Sequence, residues 1–167
     1  MSKKGLKKLV STALAAAMVI TGCAVGDMGQ VQASGEGVTV ANADFEKDIW
    51  GSEAGWTIGA SVWDGVTIEH FAYSSDEWMT VPTDGASSAL KFYSGNGDSV
   101  MTVSQVVDIP AGVYTVETLA MGEGATFGVF VGDEVGEAVT MTGYNNWLTG
   151  SKEITVNETL TGATVGL

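Results

Sequence analysis

The 167-residue sequence predicts an all-β fold, a jelly-roll type β-sandwich of about eight or more strands. Three observations carry this. From Val38 onward no segment repeats its apolar residues every 3.6 positions, as an amphipathic helix would. Apolar and polar residues alternate instead, the period of a strand with one buried face. And glycine-rich turns separate these short runs at near-regular spacing, as in sandwiches.

Each element can be read in order. "VTIEHFA" and "SALKFYS" have strand character, and "MTVSQVVDI" puts Met101, Val103, Val107 and Ile109 on one face. "PAG" (Pro110, Ala111, Gly112) is a turn, because proline presets φ and glycine tolerates a positive one. "VYTVETLA" then runs back with Tyr114 and Val116 on one face, which predicts a hairpin. "ATFGVFVG", "EAVTMTG" and "SKEITVN" follow as three further strands, the last with Ile154 and Val156 inward. "TGATVGL" begins another and stops mid-strand, so the sequence reads as a fragment whose last strand is missing. One domain, residues 38–167, accounts for all of it, without internal repeat or linker.

The N-terminus is different. "MSKKGLKKLVSTALAAAMVITGC" opens with four lysines and continues with an apolar stretch, residues 9–20, short for a membrane span. Ile20-Thr21-Gly22-Cys23 resembles a bacterial lipobox, in which the cysteine is lipidated and becomes the first residue. Residues 1–22 thus read as a lipoprotein signal peptide and residues 23–37 as a flexible tether. The alternative is an ordinary signal cleaved elsewhere, for example after Ala33. Either places the domain outside the cell, at its surface or secreted. Cys23 is the only cysteine, so no internal disulfide can form.

Charge excludes whole classes of partner. Beyond residue 22 the chain has three lysines, no arginine and 20 acids, a formal charge of −17. Such a surface repels phosphate backbones and anionic lipid, so nucleic acid is excluded and membrane contact reduces to a lipid on Cys23. Without arginine there is no fork for phosphate or carboxylate. A neutral ligand, a cation or both is the natural expectation, and the chain is expected to be monomeric.

Five tryptophans are many for this size, and half or more should be core, with Trp56 the best candidate. Tyr73, Trp78, Tyr144 and Trp147 instead sit in polar, turn-like settings, "HFAYSSDEWM" and "GYNNWLTG". Sugar rings present flat C–H faces on which aromatic rings stack, while Asn, Asp, Glu and His take the hydroxyls. For "YNNW" a second reading is a tight turn, using the tolerance of asparagine for left-handed φ, with Trp147 buried. His70, the lone histidine, adjoins Glu69, but adjacent strand residues point to opposite faces. Asp44 and Glu46 in "ANADFEKD" collect oxygen ligands of the kind that calcium takes, or form a solvated acidic loop. Twenty carboxylates single out no catalytic pair, and no nucleophile elbow, P-loop or metalloprotease motif is present.

The segments "NADFEKDIWG", "VTIEHFAYSSDEW", "ALKFY", "IPAGVYTVE", "FGVFVGDEVGEAVTMTGYNNW" and "ITV" together resemble the family 61 carbohydrate-binding module, over about residues 38–167. Such modules accompany family 53 glycoside hydrolases, the bacterial arabinogalactan endo-β-1,4-galactanases. The resemblance implies a sandwich that binds β-1,4-galactan or arabinogalactan and does no chemistry. It also implies a structural calcium near the first strand, for which Asp44 and Glu46 match half of the site. The expected sugar contacts are His70, Tyr73, Trp78, Tyr144, Asn145, Asn146 and Trp147, with Glu69 or Asp76 as acceptors. The alternatives are a stand-alone glycan-binding surface lipoprotein and a small glycoside hydrolase.

Overall fold

The computed structural model describes residues 11–23, 38–50, 55–72, 87–95 and 99–167, and of residues 11–23 and Asn145 only the backbone. Among the described residues ten strands form: β1 (Ser11–Cys23), β2 (Thr57–Ala60), β3 (Val66–Ala72), β4 (Ser88–Ser94), β5 (Met101–Ile109), β6 (Gly112–Phe127), β7 (Phe130–Val131), β8 (Glu134–Val135), β9 (Val139–Val156) and β10 (Leu160–Gly166). They make two five-stranded sheets, ordered β3-β4-β1-β6-β9 and β2-β5-β10-β7-β8, with every pairing antiparallel. The all-β sandwich that alternation predicted is the fold.

The core lies between the sheets and follows the period-2 pattern. Ile68, Leu90, Phe92, Tyr114, Val116, Ile154 and Val156 come from the first sheet, and Val103, Ile109, Val131 and Val165 from the second. Met101 and Val107 pack against the same cluster, so the predicted face of β5 is the inner one. Fully burying a side chain of this size stabilises by roughly 1.5–3 kcal/mol.

Two strand assignments change. The turn after Ile109 does not make a hairpin: β5 pairs with β2 and β10, whereas β6 pairs with β1 and β9. Pro110 therefore carries the chain from one sheet to the other, and Ile109 and Tyr114 enter the same core cluster from different sheets rather than pairing along a ladder. Local turn chemistry fixes the bend but not the partner.

The other change is one of length. "ATFGVFVG" is not one strand, since Ala125, Thr126 and Phe127 extend β6 and only Phe130 and Val131 form β7. "EAVTMTG" and "SKEITVN" are likewise one long β9. Register shifts between Ala120 and Gly122 and between Glu123 and Thr126 let β6 and β9 stay paired through the glycine-rich stretch. Gly124, at φ 74°, takes a conformation that would strain a side chain.

Strand β1 was not foreseen. Residues 11–15 pair with 90–94 of β4, and residues 12–23 pair with 113–123 of β6. The apolar stretch that reads as an export signal is thus the central strand of the first sheet, and Cys23 ends it opposite Val113.

The loop before β2 is held by its own side chains. Asn42, at φ 49°, accepts from the Lys47 amide at 2.9 Å and donates to the Lys47 carbonyl at 3.0 Å. Its carbonyl also takes the Phe45 amide and the Trp56 indole N–H, both at 3.1 Å. This closure drives Phe45 and Ile49 into the core with no exposed surface. Trp56 is buried as expected, its ring 5.2 Å from that of Phe45. Trp50 and Trp63 are about half exposed, at 53% and 51%, so among the described tryptophans only Trp56 belongs to the main core.

Candidate functional site

The outward face of the first sheet gathers the residues with binding chemistry. Register fixes which residues share it. Glu69 is opposite Lys91 and Phe71 is opposite Ala89 across β3 and β4, while Lys91 and Met121 both lie opposite Leu14 of β1. Trp147 of β9 packs with Phe71 against Ala89 and Met121, forming a second apolar cluster apart from the main core. Ala89 and Met121 are fully covered by it.

A wide bulge in β9 shapes one edge of this face. Ala120 pairs with Leu148 and Gly122 with Gly143, so residues 144–147 stand opposite Met121 alone. Four residues against one must leave the ladder and bow outward. Gly143, at φ 133°, starts the excursion in a backbone conformation suited to glycine. Within it Tyr144 is 37% exposed, and Asn146 donates from Nδ2 to Thr142 Oγ1 at 2.6 Å. The tight-turn reading of "YNNW" does not hold in that form: neither asparagine has a left-handed φ, all four residues are in strand β9, and Trp147 is half-buried rather than buried.

The opposite edge of the face is charged. Lys91 Nζ lies 2.9 Å from Glu69 Oε1 and 5.5 Å from the centre of the Phe71 ring. Both charged partners are partly exposed, so the pair contributes position and hydrogen-bonding capacity more than stability.

His70 faces the other way. It pairs with Leu90 and shares the inner side with Ile68, so it does not join Glu69 on the outer face. Its Nε2 is buried and has no hydrogen-bond partner among the described residues. Tyr73, Asp76, Trp78 and the Asn145 side chain lie outside the described residues. The structure therefore brings Glu69 and Trp147 to one face, through Lys91, Phe71 and Met121, and places Tyr144 and Asn146 in the bulge that adjoins Trp147. Alternation could have found Phe71, two positions from Glu69, and Lys91, the lone charge in "SALKFYS".

The acidic segment has a different geometry. Glu46 accepts from the Ser87 amide at 2.6 Å, the Ser88 amide at 3.0 Å and the Ser87 hydroxyl, pinning the start of β4. Asp44 accepts from the Glu46 amide at 3.3 Å. With both Glu46 oxygens committed, the segment reads as a staple, and among the described residues no three His, Cys, Asp or Glu gather as a metal ion requires.

The Ser87 hydroxyl, foremost, holds the Glu46 carboxyl below its ordinary value; burial opposes this, and the Ser87 and Ser88 amides and the charge of His70 add to it. A carboxyl whose pKa falls on folding stabilises the fold above its unfolded pKa, and that contribution is lost as pH drops through the folded value. Glu46→Gln should therefore lower the urea midpoint at neutral pH, and the gap to wild type should close as pH falls below 4.5. A gap independent of pH would show that the charge is not what holds β4.

No protein-family model, curated protein or solved structure matches the chain.

Proposed function

We propose that the outer face of the first sheet binds a neutral polysaccharide, β-1,4-galactan or its arabinose-bearing form, as a non-catalytic targeting module. The observation that carries this reading is the bulge at residues 144–147, which takes an aromatic and amide sequence out of the ladder and sets it beside a half-buried tryptophan. Tyr144 and Trp147 offer faces for stacking on sugar C–H groups, and Asn146, Glu69 and Lys91 offer partners for hydroxyls. The axial O4 of galactose bends its chain, which suits a face with a raised edge. The family resemblance adds the galactan assignment and a family 53 endo-β-1,4-galactanase as the enzyme served. Affinity is expected to be about micromolar or weaker, since a shallow site must desolvate many hydroxyls for each bond regained.

Affinity electrophoresis of the full chain through gels containing galactan, xylan or β-glucan tests this. Galactan alone should retard migration, and Trp147→Ala should weaken that at least about tenfold, the loss of one buried aromatic anchor. Equal retardation of a folded Trp147→Ala protein would move the ligand off this face. Indifference to galactan would reject the ligand.

A further inference from the structure

Strand β1 occupies a seat that the rest of the sandwich leaves open. Strands β4 and β6 do not pair with each other; each pairs with β1. Removing β1 would leave β4 and β6 about 9–10 Å apart, two strand spacings, with their facing N–H and C=O groups unpaired. The first sheet would fall into a β3–β4 pair and a β6–β9 pair. Inner residues on both sides of the gap, Leu90, Phe92, Tyr114 and Val116, belong to the main core. The opening would therefore expose that core as well as two strand edges, each a template for another strand.

The segment seated there is the one with an export pattern. The lysines at 3, 4, 7 and 8 precede it, the apolar residues 9–20 run through it, and Cys23 closes it. All nine other strands come from residues 57–167. Fourteen residues separate Cys23 from Val38, so β1 is joined covalently to the domain only through that link.

We propose that the gap between β4 and β6 is a strand-docking seat whose occupant is residues 11–23, an extended segment added antiparallel to both neighbours. The seat itself stands on the pairing. Its consequence rests on the export reading: processing before Cys23 removes the occupant, so export of the domain and completion of its first sheet by β1 are mutually exclusive fates of one segment. A chain that folds before export hides its signal in the sheet. A chain that is exported and processed presents an open seat for an extended, small and apolar strand.

The test uses the full chain, produced without export, with a protease site inserted between residues 26 and 34. After cutting, the N-terminal peptide should co-elute with the domain, and amides of residues 90–94 and 113–119 should exchange at least about a hundredfold more slowly than in an unfolded chain. A labelled synthetic peptide of residues 11–23 should replace the resident one, whereas the same peptide with Ala15→Pro and Ala17→Pro should not, because proline cannot donate to the ladder. A peptide that separates on cutting while those amides keep their protection overturns the seat. The export reading has its own readout, the mass of the chain recovered from a bacterial envelope. A lipidated Cys23 at its start supports mutual exclusion; an exported chain that retains residues 1–22 overturns that consequence without touching the exchange result.

Discussion

Replacing Phe45 by alanine should cost about 3–5 kcal/mol of stability, the range for deleting a fully buried aromatic ring. Phe45 has no exposed surface, sits 5.2 Å from the Trp56 ring and belongs to the main core cluster. Its backbone has φ 55°, a left-handed conformation uncommon for a bulky residue. The fold tolerates this because the loop around it is closed independently, by the Asn42 side chain on Lys47 and the Asn42 carbonyl on the Phe45 amide and the Trp56 indole. A second substitution separates ring from backbone. In an ordinary strand glycine is about 0.5–1 kcal/mol worse than alanine. At this φ, Phe45→Gly should be no worse than Phe45→Ala. Urea denaturation followed by tryptophan emission would read both, and a Phe45→Ala loss under about 1 kcal/mol would mean that the ring is not buried as described.

The second large effect is expected at Gly166, near the end of β10. A Cβ there would stand 2.4 Å from the Val103 carbonyl oxygen and 2.7 Å from Cζ of Phe130. The carbonyl cannot step aside cheaply, because it accepts the Leu167 amide at 3.0 Å while the Val103 amide donates to the Leu167 carbonyl at 2.9 Å. Strand β10 is interior to its sheet, between β5 and β7, so a shift breaks pairing on two sides. Gly166→Ala should cost about 1–3 kcal/mol, and Gly166→Val more. Gly150 provides the comparison. Its Cβ would meet the Phe127 ring at 2.6 Å, but a half-buried side chain can turn where a bonded carbonyl cannot. Gly150→Ala should therefore cost less than Gly166→Ala in the same denaturation experiment. The reverse order would show that the ring, and not the ladder, is the rigid element.

The face proposed for sugar illustrates how unevenly a site is written into a chain. The aromatic and amide residues of "GYNNW" stand out locally because their types conflict with a loop of ordinary polarity. That they form a bulge, and that Trp147 returns to the sheet beside Met121, depends on how β6 and β9 slide past each other, a property of two strands together. Glu69 and His70 are neighbours in sequence, yet the pleat sends them to opposite sides, and only pairing with β4 shows which side is the interior. Lys91 and Phe71 escaped notice because each looks ordinary alone and acquires meaning as the other's neighbour. In the acidic loop the sequence shows oxygen-bearing side chains, but that Glu46 holds Ser87 and Ser88, forty residues on, is visible only in the folded chain.

Alternation of apolar and polar residues is a local property of the chain, so the sequence by itself determined that the molecule is all-β, where β3, β4, β5 and β10 run, and which face of β5 is buried. Which strand pairs with which is not local, because antiparallel neighbours may come from any distance and a turn constrains direction without choosing a partner. Tertiary structure therefore decided that β5 and β6 face each other across the core, that β9 is one strand with a bulge, and that residues 11–23 complete the first sheet. That last choice turns on backbone hydrogen bonds, which any extended segment can make and which residue types only weakly announce.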